Sequence, residues 1–246
     1  MPFALSPGLV LALAVALFGA ALVRGYSGFG FSAIFIAFAS LLTDPVPLIP
    51  VVFISELAMT TLQVRGIRGH VDWSRAFALL AGAAIALPFS VFTLMSLPVD
   101  GVRLLVSLIV GGMALLLLSG WTLQQRLGRR GHVGVGILAG AANAVGVGGL
   151  PVAACLSAQP MPAATFRATM IVFLTGVDVM TLPLMGLGGA VSADTFKAAL
   201  FAAPLLAAGI LLGNRRFAAT PPDAFRRFAV LLLLALSTLG LIRVVA

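Results

Sequence analysis

Charge is what this sequence has least of. Asp, Glu, Lys and Arg make up 9% of its 246 residues, against about 25% in an ordinary soluble domain. So few charges cannot coat a water-facing surface of that size, which excludes a soluble globular enzyme. Disorder is excluded on opposite grounds, because 61% of the chain is apolar and disordered segments are poor in apolar residues. The single cysteine, Cys155, cannot form an internal disulfide. Two histidines and one cysteine, far apart, make no zinc ligand set. No Gly-x-x-x-x-Gly-Lys-Ser/Thr occurs, so the chain carries no phosphate loop for ATP. No cofactor is expected.

What is present is a series of apolar runs, at 8–23, 31–42, 46–64, 76–97, 102–121, 133–145, 150–158, 168–187, 196–213 and 228–246. A transmembrane barrel would show short alternating segments instead. The runs therefore predict an all-α polytopic membrane protein, with the lipid bilayer as its solvent. A helix needs about 20 residues to cross the hydrocarbon layer. Four runs are short: 8–23, 31–42, 133–145 and 150–158. They form two pairs, each split by a glycine-rich break, and are expected to be half-helices of re-entrant hairpins. The other six runs are long enough to span.

The net charge is +8, and the basic residues cluster in short connections, an orientation signal rather than a nucleic-acid surface. Arg65, Arg68 and Arg75, then Arg126, Arg129 and Arg130, then Arg215, Arg216, Arg226 and Arg227 mark three cytoplasmic loops. The loops at 43–46, 98–101 and 188–195 lack Lys and Arg and are expected outside. This predicts a bacterial inner-membrane protein with both termini periplasmic. Residues 1–22 look like a signal peptide, but no Lys or Arg precedes the apolar stretch, so the segment is expected to be retained.

Shifted by about 121 residues, the halves align. Gly19-Ala20-Ala21 meets Gly140-Ala141-Ala142, and Gly25-Tyr26-Ser27-Gly28 meets Gly146-Val147-Gly148-Gly149. Asp72-Trp73 meets Asp194-Thr195, and Pro98, Asp100 and Arg103 meet Pro221, Asp223 and Arg226 with small slips. The expected organisation is an N-terminal repeat at 1–121, a cytoplasmic linker at 122–132 and a C-terminal repeat at 133–246. Each repeat is one hairpin plus three spans. Three is odd, so the second repeat is inverted relative to the first, a layout many secondary transporters share.

The glycine-rich breaks Arg24-Gly25-Tyr26-Ser27-Gly28-Phe29-Gly30 and Asn143-Ala144-Val145-Gly146-Val147-Gly148-Gly149-Leu150-Pro151 resemble the TauE/SafE family of sulfite exporters, as does the Asp72-Trp73 that opens a span after a basic loop. The family pattern of Gly-x-Gly-Gly followed by Pro stands in the second half. The first half departs from it, with Ser27 and Phe29 in place of a glycine pair and no proline. The resemblance covers nearly the whole chain and implies export of sulfite or small organosulfur anions.

The residues themselves suggest where an anion would bind. Arg24 lies at the first break, far from any basic loop, and a buried cation in a membrane is costly. It is a candidate anion ligand, through its donor fork, or the partner of Glu56 or Asp178. A new helix begins after each break, and its first N–H groups carry the positive dipole end. Two such ends meeting at the midplane would hold an anion, with Gly28, Gly30, Gly146, Gly148 and Gly149 allowing close approach. Pro151 suits an early helical position. Tyr26, Ser27 and Asn143 can add neutral hydrogen bonds. Glu56 and Asp178 occupy nearly matched places in the two halves, with Gln63 among their polar neighbours. They are candidates for proton coupling or for a polar gate. Cys155 reads as a small buried filler.

Two other readings stand beside the carrier. An anion channel would lack saturable flux and alternating access. An intramembrane serine protease could use Ser27 in Gly25-Tyr26-Ser27-Gly28, but needs a base, and His70 and His132 are expected in basic cytoplasmic loops.

Overall fold

The computed structural model describes Phe3 and residues 5–123, 127–219 and 222–245, without the side chains of 216–229 and 245. Arg126, Pro221 and the side chains of Arg216, Asp223, Arg226 and Arg227, used above, lie outside the described residues. The described residues form ten α-helices: α1 (Pro7–Ser27), α2 (Phe31–Leu42), α3 (Ile49–Ile67), α4 (Trp73–Ser96), α5 (Val99–Leu118), α6 (Arg129–Asn143), α7 (Gly149–Ser157), α8 (Ala163–Leu187), α9 (Ala193–Ala219) and α10 (Pro222–Val245). A 3-10 turn, Val46–Leu48, leads into α3.

Each helix coincides with one apolar run, because in lipid only a helix satisfies its own backbone. Local signals set the ends. Ser6 caps α1 with Pro7 in its first turn, and Asp72 caps α4 by accepting from Arg75 N at 3.0 Å. Large apolar side chains point outward: Phe89, Leu200 and Phe201 are 75%, 76% and 73% exposed. Such a surface fits lipid. By length and composition six helices can cross a membrane: Pro7–Ser27, Val46–Ile67, Trp73–Ser96, Val99–Leu118, Ala163–Leu187 and Ala193–Arg215. The chain is a multi-pass membrane protein.

One expectation fails here. The first run, 8–23, was expected to be a half-helix, yet α1 has 21 residues, about 31 Å at 1.5 Å per residue. Hydropathy ends the run at Arg24, but that charge is neutralised by a partner and the helix continues. It stops only at Gly28, whose φ of 84° is left-handed and whose N–H returns to Arg24 O. The helices after the breaks are short, as expected: α2 has 12 residues and α7 has 9. The linker also ends early, since α6 starts at Arg129 and takes in the last residues of 122–132.

α1 runs beside α9 and α6 beside α4; α3 packs on α8 and α9, α4 on α8, and α5 on α10. Exchanging α1–α5 with α6–α10 carries this set of neighbours into itself. Both of the long pairings are glycine seams. A methyl on Gly25 would stand 2.6 Å from Ile210 O, and one on Gly140 would stand 2.7 Å from Ala83 O. Small residues let backbones approach to this distance, which is how helices associate where no hydrophobic effect acts between them.

Candidate functional site

The centre of the molecule holds a charged cluster between α1, α3 and α8. Arg24, in the last turn of α1, is fully buried; Glu56 of α3 and Asp178 of α8 are 1% and 0% exposed. Arg24 Nη1 donates to Glu56 Oε1 at 2.7 Å, and Nη2 donates to Thr60 Oγ1 at 3.3 Å. Among the described residues, Arg24 Nε has no hydrogen-bond partner. Thr60 Oγ1 lies 2.9 Å from Thr175 Oγ1, tying α3 to α8. Asp178 and Glu56 each lie one turn from this threonine contact, on the touching faces of α8 and α3, and among the described residues neither Asp178 oxygen has a hydrogen bond. Of the two roles open to Arg24 in the sequence, the pair with Glu56 is formed.

A second arginine stands toward the α3–α4 connection, which reaches this end of α8 through Asp72 N and Thr169 Oγ1 at 3.0 Å. Arg167, in the second turn of α8, donates from Nη2 to Gly25 O at 2.7 Å and to Asn214 Oδ1 of α9. Gln63 Nε2 reaches the same Asn214 oxygen at 3.4 Å. Gly25 O is one of the last carbonyls of α1, which lack partners inside the helix, and Arg167 satisfies it. Gly28 packs directly on Arg167, with its missing Cβ 3.1 Å from Arg167 O. Arg167 is half-buried and within electrostatic reach of Arg24.

The two breaks are offset along α8. The second lies farther along α8, where Asn143 Nδ2 donates to Thr181 Oγ1 at 3.0 Å. From Arg167 to Thr181 is about 21 Å of helix at 1.5 Å per residue. Gly146 rests on Ile36 and Ile49, Gly148 on Ala139 O and Asn143, and Gly149 on Leu174. Pro151 stands in the first turn of α7 and is half-buried. The expected junction of paired helix N-termini is offset rather than head-on: the second break rests on Ile36 in the middle of α2, and α2 touches α7. Because α1 runs its full length before turning, its tip passes the centre, and the charged cluster lies between the breaks. In the first break, Tyr26 is buried. The Ser27 hydroxyl lies 2.8 Å from Val23 O and 2.7 Å from Phe29 O, and accepts from Phe29 N–H at 3.3 Å. Gly30 caps α2 with φ 91°.

The family model described as Sulfite exporter TauE/SafE matches residues 12–239. This chain belongs to the TauE/SafE family. No curated protein and no solved structure matches it. The TauE/SafE match spans α1 to α10, so both breaks and the charged cluster fall inside it. TauE/SafE proteins are membrane transporters of the sulfite-exporter class rather than enzymes.

Arg167, Asn214, Thr60 and Thr175 complete the cluster in this TauE/SafE chain. Arg167 was passed over because the apolar run was drawn from residue 168. Its signal is the one that exposed Arg24, an arginine alone in an apolar stretch. Asn214 hides beside the basic pair that follows it. His132 is a further correction: it lies inside α6 at 3% exposure, not in a loop. Its Nδ1 is 3.0 Å from Gly128 O and its Nε2 is 3.3 Å from Gln159 Nε2, and Gln159 also donates to Cys155 O at 3.2 Å.

Proposed function

We propose that this protein exports sulfite or a related organosulfur anion across the bacterial cytoplasmic membrane by alternating access. In this reading the anion binds on the Nε and Nη2 edge of Arg24, between α1, α3 and α8. The supporting observation is that Arg24 is fully buried yet leaves Nε unpartnered, when a buried donor without a partner costs about 1–3 kcal/mol. Nε and Nη2 lie on one edge of the planar guanidinium, the geometry that grips two oxygens of an oxyanion. Among the described residues Nη2 is held only by the 3.3 Å bond to Thr60, so an anion oxygen can displace it. The Thr60 and Thr175 hydroxyls, both half-buried, border that edge and can turn toward a third oxygen. Arg167 supplies a positive charge nearer the cytoplasmic loops, where an outgoing anion enters.

The matched pairings α1 with α9 and α6 with α4 support two inverted repeats, one through 121 and one from 133. The two halves rock along their glycine seams around the Arg24 cluster. Gly28, left-handed and packed on Arg167, is where the first hairpin flexes as the cytoplasmic side opens. Asn143 and the glycines of the second break would play the matching part on the other side. The same reading puts the loops at 98–101 and 188–195 and both termini in the periplasm. In a Cys155→Ser background, a cysteine at position 100 is expected to label from outside and one at position 129 only from inside; the reverse would refute the orientation.

Purified protein in liposomes tests the activity. Radiolabelled sulfite efflux is expected to saturate with internal sulfite and to accelerate when unlabelled sulfite is placed outside. Flux that rises linearly and shows no such acceleration would indicate a pore instead.

A further inference from the structure

The buried acids suggest how the cycle is coupled, if the carrier reading above is right. Arg24 needs one negative partner wherever it is buried, because an unpaired charge there is costly. In this structure the partner is Glu56, at 2.7 Å and 1% exposure. An incoming anion brings a second negative charge to the same guanidinium. Asp178 lies one turn from Thr175 as Glu56 lies one turn from Thr60, so the 2.9 Å threonine contact sets the two acids on the touching faces of α8 and α3; Asp178 is fully buried and, among the described residues, its oxygens have no hydrogen bond. Two carboxylates are acceptors only and cannot bond to each other. A single proton placed on either turns their contact into a hydrogen bond and removes a charge from a water-free site.

The charged groups facing Glu56 are Arg24 from α1 and Asp178 from α8, with Arg167 beyond Arg24 on the α8 side. From α9 the neighbouring polar group is Asn214, which is neutral and bonded to Gln63 and Arg167.

We propose that Glu56 and Asp178 are a proton-coupling pair: Asp178 stays protonated and donates to Glu56, the empty carrier balances Arg24 with the Glu56 carboxylate, and the loaded carrier balances it with the substrate anion while a second proton sits on Glu56. One proton then accompanies each anion. The proton comes from water as the anion takes Arg24 and returns to water on release, with no covalent bond of the substrate changed. Both states that cross the membrane keep Arg24 balanced. The state that cannot cross is an empty carrier whose Glu56 is protonated, because Arg24 would then be bare.

Glu56→Gln imitates that protonated state and separates this idea from a structural ion pair. In proteoliposomes, Glu56→Gln is expected to retain sulfite-for-sulfite exchange while net sulfite efflux falls tenfold or more. In detergent, a pH indicator is expected to show about one more proton taken up per sulfite bound by wild type than by the variant. Net efflux by Glu56→Gln equal to that of wild type, or equal proton uptake, would overturn the coupling and leave the carrier reading standing. Should Glu56→Gln not fold, Asp178→Asn carries the test. Its net efflux is expected to weaken at neutral pH and recover in acid, and an unchanged pH profile would overturn the proposal. No sulfite flux by the wild type at all would defeat the carrier reading and this inference together.

Discussion

Arg24→Ala is expected to lower sulfite efflux about a hundredfold or more, since two hydrogen bonds from a charged group to an anion are together worth about 3 kcal/mol or more. The same change strands Glu56 beside Asp178 with no cation, and removing one partner of a buried pair costs about 3–5 kcal/mol of stability. Loss of flux alone would therefore be ambiguous. Arg24→Ala combined with Glu56→Gln removes both charges of the pair. That double variant is expected to recover thermal stability and remain inactive. Arg24→Lys keeps a charge but not the planar fork, and is expected to lie between. Full activity in Arg24→Ala would remove the arginine from the binding site.

The other large effect is structural and comes from the α4–α6 seam. A methyl on Gly136 would overlap the Leu79 carbonyl, and one on Gly82 would overlap the Val133 carbonyl. Both obstacles are backbone, so no rotamer change relieves them. Gly136→Ala is expected to cost about 3 kcal/mol, and with it about 10 °C of melting temperature. Gly134, two positions away, has nothing within 4 Å of its missing Cβ, and Gly134→Ala is expected to leave the melting temperature unchanged. Equal melting of both variants, measured in the same detergent, would mean that the seam is looser than described.

The helices were legible in the sequence because the bilayer permits little else: every apolar run became a helix. The end of α1 was not, since hydropathy counts Arg24 as a break while the pair with Glu56 cancels its charge. That one misjudged end carried the first break past Arg24 and offset it from the second, although α2 and α7 still touch. In the cluster, Arg24, Glu56 and Asp178 stood out as lone charges in apolar surroundings, and the fold brings all three together. Gln63 was also noticed, but it reaches Arg167 only through Asn214. Arg167 and Asn214 were missed because each borders a run end, where a charge or amide reads as interface. The pairing of α1 with α9 and α6 with α4 leaves no local trace beyond glycines, which serve turns and seams alike.

A structure of the protein with selenite bound tests the account most directly. Selenite is pyramidal like sulfite, and selenium can be located by anomalous scattering. The account predicts one anion within hydrogen-bond distance of Arg24 Nε and Nη2, bordered by Thr60 and Thr175, with Glu56 no longer the sole counter-charge. An anion lodged at the helix starts near Gly28 or Gly149, with Arg24 Nε still unpartnered, would contradict it.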